Sequence, residues 1–236
     1  MTGSSEDALA SFRRRIREEL LPQYLTDCGY ESGGYKANDE AVTPSDAEWF
    51  LRALDERIAT LLPKARLKLP ASTVRAMIFW EHSASVTPRP VGLHLEGVLS
   101  AGMAARLHLK YGWPIEQLGF EYPTRPGPGR RAFDLGVLDG AGDLALAGEA
   151  KNKRGDLDHL FKVIQRCAEA EKHEHPRHHA DLNGHNKWVG LLLCRPRVFF
   201  TYGPGEDWSV FEVTYGADGG LAFDEGSREL LRAPGP

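Results

Sequence analysis

The stretch that most restricts the fold is Ala132-Phe-Asp-Leu-Gly-Val-Leu138, then Asp139-Gly-Ala-Gly-Asp143, then Leu144-Ala-Leu-Ala-Gly-Glu-Ala150. Two apolar runs of strand length flank a Gly/Asp cluster, which is the pattern of a β-hairpin. With Ala141-Gly142 as a two-residue loop, Gly140 pairs with Asp143, and counting outward sets Asp134 opposite Glu149. Directly opposed residues leave the same face of an antiparallel pair, with Cβ atoms about 4.5–5.5 Å apart. Two carboxylates that close in an apolar sheet repel strongly unless a cation lies between them.

The period-two repeat of a strand brings in a third group. Glu149 and Lys151 are two apart, so both leave the strand on one face, while the Ala150 carbonyl becomes a further oxygen ligand. Gly136 and Ala147 share that face and leave room beside it. Leu135, Val137, Leu144 and Leu146 take the other face and suit packing on a helix. One side of the hairpin therefore reads as core and the other as a site. Carboxylate, carbonyl and water ligands suit Mg²⁺ or Mn²⁺; zinc favours His and Cys. Such a metal polarises a phosphate and lowers the pKa of a water, and Lys151 either orients that water or stabilises charge on the phosphate. Hydrolysis of a phosphodiester is the chemistry these parts can perform. The plainer alternative is an edge hairpin with a Glu149–Lys151 surface ion pair. The wholly apolar Leu144–Gly148 run argues instead for an interior strand.

Around the hairpin, residues 1–90 read as a helical N-terminal extension. A helix from Asp7 to about Leu21 presents Leu9, Phe12, Ile16 and Leu20 on one face. A second begins at Thr43-Pro44-Ser45-Asp46, with Ser45 or Asp46 as cap, and runs through Phe50, Leu51, Leu54, Ile58, Leu61 and Leu62 to Pro63. Thr73–Glu81 reads as a third. From residue 91 the texture changes: a helix over Leu93–Tyr111, strands at Leu118–Pro123, Ala132–Leu138 and Leu144–Ala150, and a helix over Leu157–Glu171. Further strands follow at Trp188–Cys194, Val198–Tyr202 and Trp208–Tyr215, and the Arg232-Ala-Pro-Gly-Pro236 tail reads as frayed. This order packs best as an α/β fold, a mixed central β-sheet flanked by helices.

Composition sets the class. A chain of 236 residues with 42% hydrophobic and 26% charged residues can bury a full core without staples. Three widely spaced cysteines, Cys28, Cys167 and Cys194, argue against a disulfide framework and for a reducing compartment. The polar N-terminus lacks a signal core, and no run of about 18 apolar residues occurs, so a cytoplasmic protein without a membrane span is expected. Net charge is −4, yet Arg125–Arg166 holds eight Lys/Arg against six acids, a mildly basic window compatible with phosphate binding.

Asp134, followed by Glu149-Ala150-Lys151 on the next strand, resembles the D…(D/E)-x-K motif of the PD-(D/E)XK nuclease superfamily. The resemblance covers roughly Leu93–Tyr215 and includes the order of elements. It implies a restriction-endonuclease-like core at 91–236 and a Mg²⁺- or Mn²⁺-dependent nuclease. DNA cut endonucleolytically is the expected substrate, and a homodimer is allowed by analogy. Asp134, Glu149 and Ala150 would hold metal, with Lys151 catalytic. Glu96, opening the first core helix, would be an additional catalytic acid; otherwise it is a first-turn acid complementing the helix dipole. Lys162, Gln165 and Arg166 match the polar helix that follows the lysine in that superfamily. Phe133 stands where many members have proline. Arg130, Arg131, Lys153 and Arg154 are read as phosphate-backbone contacts, with Gln165 also facing nucleic acid. The alternative is a catalytically inactive module of this fold that binds nucleic acid or a protein partner. His173, His175, His178, His179 and His185 crowd one polar stretch. Pro176 interrupts any helix that would place two ligands one turn apart, so the stretch is read as a loop near the nucleic acid, not a zinc site.

Overall fold

The computed structural model describes residues 5–29, 34–36, 39–81, 90–123, 132–169, 179–216 and 220–235. The chain opens on a long helix, α1 (Ser5–Arg14) and α2 (Leu21–Cys28) joined by a π-helical turn at Arg15–Leu20. Pro22 explains the widened turn: its ring would collide with the carbonyl four residues earlier in a regular α-helix. Phe12, Ile16 and Leu20 are buried along one face, at the spacing their sequence sets. Helix α3 (Pro44–Asp55) is capped by Thr43, whose side chain accepts the Asp46 N–H while Asp46 accepts the Thr43 N–H. The cap is thus Thr43 and not Ser45 or Asp46, and the helix stops at Asp55, well before Pro63.

Past α3, strands replace the expected helices. Strand β1 (Tyr35–Lys36) precedes α3, and β2 (Thr60–Leu62), β3 (Arg66–Lys68) and β4 (Ala76–Met77) form an antiparallel sheet in that order. Strands β5 (Phe79–Glu81) and β6 (Val91–Leu93) form a second small sheet with β1. Thr73–Glu81 is therefore not helical. Burial there alternates, with Ala76 and Ile78 inside and Met77 outside, which is a strand's period.

The centre is a six-stranded mixed sheet ordered β12-β11-β10-β9-β8-β7. Strands β7 (Leu118–Pro123), β8 (Ala132–Leu138) and β9 (Leu144–Ala150) are antiparallel neighbours. Strand β10 (Val198–Tyr202) lies parallel to β9, and β11 (Trp208–Tyr215) and β12 (Leu221–Gly226) follow antiparallel. Helix α4 (Leu95–Leu109) shares one buried cluster with Leu135, Val137, Leu146, Val198 and Phe200, and that cluster continues into α1 and α3. Helices α5 (Arg154–Glu169) and α6 (His179–Cys194) make the β9–β10 crossover and bury Leu160, Ile164, Trp188 and Leu191 with Phe133, Ala147 and Phe199.

Helix α6 overturns the strand expected at Trp188–Cys194. A short apolar run fits either element. Here burial recurs at Gly184, Trp188 and Leu191 while Leu193 is 59% exposed, a helical repeat. A Cβ on Gly184 would overlap Val163, so that glycine lets α5 and α6 approach closely. The C-terminal tail is held, not frayed, as far as Ala233. The Trp113 indole N–H donates to the Leu231 carbonyl at 2.6 Å, and the Ala233 N–H to the Tyr111 carbonyl at 2.9 Å. Among the described residues no helix is long and apolar enough to cross a membrane.

Candidate active site

The β8–β9 hairpin turns differently from the expected two-residue loop. Asp139 Oδ1 accepts the Ala141 and Asp143 N–H groups, and the Asp139 N–H donates to the Asp143 carbonyl. Leu138 therefore pairs with Leu144, one residue out of the expected register. Ala145 then bulges out of the ladder, and Val137↔Leu146, Gly136↔Ala147 and Leu135↔Gly148 resume the expected register, with Leu135↔Gly148 the last pair before Asp134 and Glu149. The bulge also reverses the parity of Leu144. It packs with Ala147 under α5 and α6, while Ala145 joins the α4 side.

The idea of one core face and one open face is corrected as well. All seven residues of β9 are buried. A Cβ at Gly136 would press on Tyr122 and Leu144, and Ala147 is fully enclosed, so these small residues make room for side chains and not for a ligand. The opening lies at the end of the hairpin instead. Glu121 takes a left-handed φ of 51° there, and both strands change face: Phe120 and Leu135 sit on the α4 side, Tyr122 and Phe133 on the α5–α6 side.

At that end Asp134 Oδ2 accepts the Ala150 N–H at 2.8 Å. Glu149 has 2% of its side chain exposed and receives two ammonium groups, Lys151 Nζ on Oε1 at 2.9 Å and Lys187 Nζ on Oε2 at 2.7 Å. Lys151 Nζ also donates to the Ala150 carbonyl at 2.6 Å and lies 3.9 Å from Glu96 Oε1. Glu96 stands in the first turn of α4, whose N-cap is His94, accepting the Gly97 N–H through Nδ1 at 3.1 Å. One turn further on, Ser100 Oγ meets the Tyr202 hydroxyl at 2.9 Å, and the Lys151 N–H donates to the Tyr202 carbonyl. The fold thus brings Asp134, Glu149, Ala150, Lys151 and Glu96 together.

Burial and the Glu149 charge push the Asp134 carboxyl up to about 8, against the partial relief of Lys187 and Lys151. Burial opposes the charge on Glu149 too, but Lys187 and Lys151 outweigh it and hold that carboxyl below its usual range. For Lys151 burial disfavours the ammonium, yet Glu149, Asp134 and Glu96 prevail and raise its pKa. Glu121 is raised by burial first, with Glu149 and Glu96 adding repulsion.

Oxygen donors of Glu149, Ala150 and Glu96 surround the Lys151 ammonium, and with Asp134 they match Mg²⁺ or Mn²⁺ in kind, the bound ammonium standing where a cation is welcome. Among the described residues no three His, Cys, Asp or Glu side chains group as ligands of one ion. An ion here would therefore draw on two carboxylates and a carbonyl and keep its waters, as Mg²⁺ does.

The other expected residues are more dispersed. Lys153 and Gln165 are exposed, and Arg154 pairs with Asp207 at 3.3 Å. Arg154, Lys162 and Gln165 line a cavity of about 170 Å³ between α5 and strands β10 and β11, with Thr201 and Ser209 opposite. Arg130, Arg131, His173, His175 and His178 lie outside the described residues. His185 belongs to helix α6 and not to a loop, and its Nδ1 is 3.9 Å from Cys167 Sγ.

Lys187 and Glu121 are the members that sequence reasoning missed. Lys187 had a usable signal: with 184, 188 and 191 it falls on one face once 179–194 is read as a helix. Glu121 had none, because only the opposed strand β8 brings it near the acids. Comparison of the chain with models of known families, with curated proteins and with solved structures gives no match.

Proposed function

We propose that the chain is a metal-dependent nuclease of the PD-(D/E)XK type that hydrolyses phosphodiester bonds of nucleic acid, with DNA cut endonucleolytically. The observation that carries this reading is the meeting of Glu149, the Ala150 carbonyl and Glu96 at the Lys151 ammonium, with Asp134 bonded to the same Ala150 from the neighbouring strand. The hairpin, two-helix crossover and parallel β10 support a restriction-endonuclease-like core. Asp134, Glu149 and the Ala150 carbonyl are the groups that would hold Mg²⁺ or Mn²⁺, which when bound polarises a phosphate and acidifies a water. Lys151 keeps its proton at neutral pH because three acids raise its pKa, so it serves as a cation beside the phosphate and not as a base. Glu96, on the exposed side, orients the Lys151 ammonium.

The test is incubation of the full chain with DNA and RNA in Mg²⁺ or Mn²⁺ and again in a chelator. Cleavage that the chelator abolishes, and that Lys151→Met and Asp134→Asn each cut by about 100-fold or more while the fold is kept, is the expected result. Unchanged cleavage in both variants overturns the reading. A second reading, a non-catalytic module that binds nucleic acid or a protein partner, is favoured by the two ammonium groups that already balance Glu149. Binding without cleavage in any divalent ion would establish it.

A further inference from the structure

Between Arg57 and Met77 the chain carries five basic residues, Arg57, Lys64, Arg66, Lys68 and Arg75, and no acid, although its net charge is −4. The fold gathers them on the β2–β3–β4 sheet. Arg66 and Lys68 are exposed on either side of buried Leu67, so both leave the outer face. The register extends that face: Thr60 stands opposite Lys68, Leu62 opposite Arg66, and Met77, 44% exposed, opposite Arg66 from the other side. Among the described residues Arg57, Arg66, Lys68 and Arg75 make no ion pair. The Asp27 carboxylate, which accepts the Lys64 N–H at 2.6 Å, balances the Lys64 end; the remaining cations are of one sign, and such a patch raises the local concentration of counter-charged partners.

A second observation is independent of the charge count. Arg57 has φ 58° just past the end of α3, and Lys64 and Ala65 have φ 61° and 44° in the β2–β3 turn. Glycine adopts such left-handed conformations without strain. The chain keeps Arg and Lys at both places; the Lys64 N–H donates to Asp27 Oδ2 at 2.6 Å and the Arg57 N–H to the Leu54 carbonyl at 3.1 Å, which fixes where the backbone presents the two cations.

The third observation is position. The His94 N–H donates to the Ile78 carbonyl at 2.8 Å, joining the β4–β5 junction to the turn of α4 that carries Glu96. The Phe120 N–H donates to Ser72 Oγ at 2.8 Å and the Ala71 N–H to the Leu118 carbonyl at 2.9 Å, joining the β3–β4 connection to strand β7, which carries Glu121. The small sheet is therefore fastened to two elements of the candidate site.

We propose that the outer face of the β2–β3–β4 sheet, with Arg57 and Lys64 at its turns, is a docking surface for the phosphate backbone of a nucleic acid engaged at the Lys151 site. That the partner is nucleic acid rests on the nuclease reading; the demand for a polyanion does not. Thr60, Leu62, Arg66, Lys68 and Met77 make up the face, with no aromatic ring to stack a base, so it holds the backbone without reading sequence.

The experiment titrates the full chain into a short labelled DNA duplex in chelator, following anisotropy at increasing salt. Arg66→Glu combined with Lys68→Glu is expected to weaken binding about tenfold or more and to lower the salt slope by about one for each phosphate no longer neutralised. Arg57→Gly and Lys64→Gly supply a readout that a purely structural role would not move: each raises Tm by relieving the backbone, yet weakens binding. Wild-type affinity and slope in all of these variants overturns the proposal. So does binding to phosphatidylserine vesicles without binding to the duplex. The nuclease reading fails separately. A chain that binds duplex through these residues but never cuts it keeps the docking surface and loses the catalysis. A chain that cuts while all the variants bind like wild type does the reverse.

Discussion

Lys187 reaches from the middle of α6 to within 2.7 Å of Glu149 Oε2, so one buried carboxylate is held by ammonium groups from two different elements. Only 5% of the Lys187 side chain is exposed. The pair therefore fastens the crossover helix to strand β9 at the residue on which the candidate site turns.

Removing that tie leaves Glu149 buried with one partner. Breaking a buried pair commonly costs about 3–5 kcal/mol, and because Lys151 remains, Lys187→Met is expected to cost about 2–3 kcal/mol. Urea unfolding measures it. Lys187→Met with Glu149→Gln should cost less than the two separate losses together, as for groups that share an interaction.

Asp134 sets a pH dependence. Its folded carboxyl titrates at about 8 while the unfolded one titrates near 3.8, so between those values the unfolded state alone is ionised. Stability in the absence of divalent ions should fall as pH rises through that window, by on the order of 1 kcal/mol per unit, and level off above it. Asp134→Asn keeps an acceptor for the Ala150 N–H and should flatten the decline. Thermal melts across the window decide it. Affinity for Mn²⁺ should move the opposite way, rising toward pH 8 as the competing proton leaves.

Gly97 offers a steric test of the junction beside Glu96. A Cβ there would overlap the Met77 carbonyl oxygen, which is backbone and cannot rotate away. Gly97→Ala is expected to cost about 3 kcal/mol. It should also lower any cleavage activity more than its stability loss explains, since Glu96 shares that turn. Calorimetry and activity on the same preparation separate the two effects.

Arg106 is the centre of a cluster of guanidinium groups and indoles. Its guanidinium lies 5.1 Å from the Trp49 ring and 4.9 Å from the Trp208 ring, and those indoles also meet Arg52 at 4.7 Å and Arg228 at 4.4 Å. It also donates to Ser45 Oγ at 2.9 Å and partly offsets the burial that raises the Asp46 carboxyl. Arg106→Leu should cost about 2–3 kcal/mol, through the lost contacts with Trp49 and Trp208 and the loss of the donor to Ser45 Oγ. Arg106→Lys keeps the charge but not the planar stack, and should cost about 1–2 kcal/mol. Denaturation followed by tryptophan fluorescence reads both.

Much of the central sheet was legible from local pattern: β7, β8, β9 and β10 lie where apolar runs and turn residues set them. The meeting of Glu149 with Lys151 followed from the period of two. The register from Val137↔Leu146 to Leu135↔Gly148 came out of an incorrect turn, because the slip at Asp139–Asp143 is undone by the bulge at Ala145. What local pattern does not carry is long-range. Trp188–Leu193 is apolar enough for a strand, and only packing against α5 makes it a helix. The β2–β5 strands are too short for their period to stand out. Lys187 and Glu121 enter the site through tertiary packing alone.

The extra residue at Ala145 insulates the hairpin tip from the acidic end. Loop residues 140–142 are expected to accept insertion or exchange for a tag, because the phase of the two strands is fixed upstream, between Val137 and Leu146. A change confined to such a tip should leave the carboxylates where they are, which gives an engineer an attachment point away from the centre.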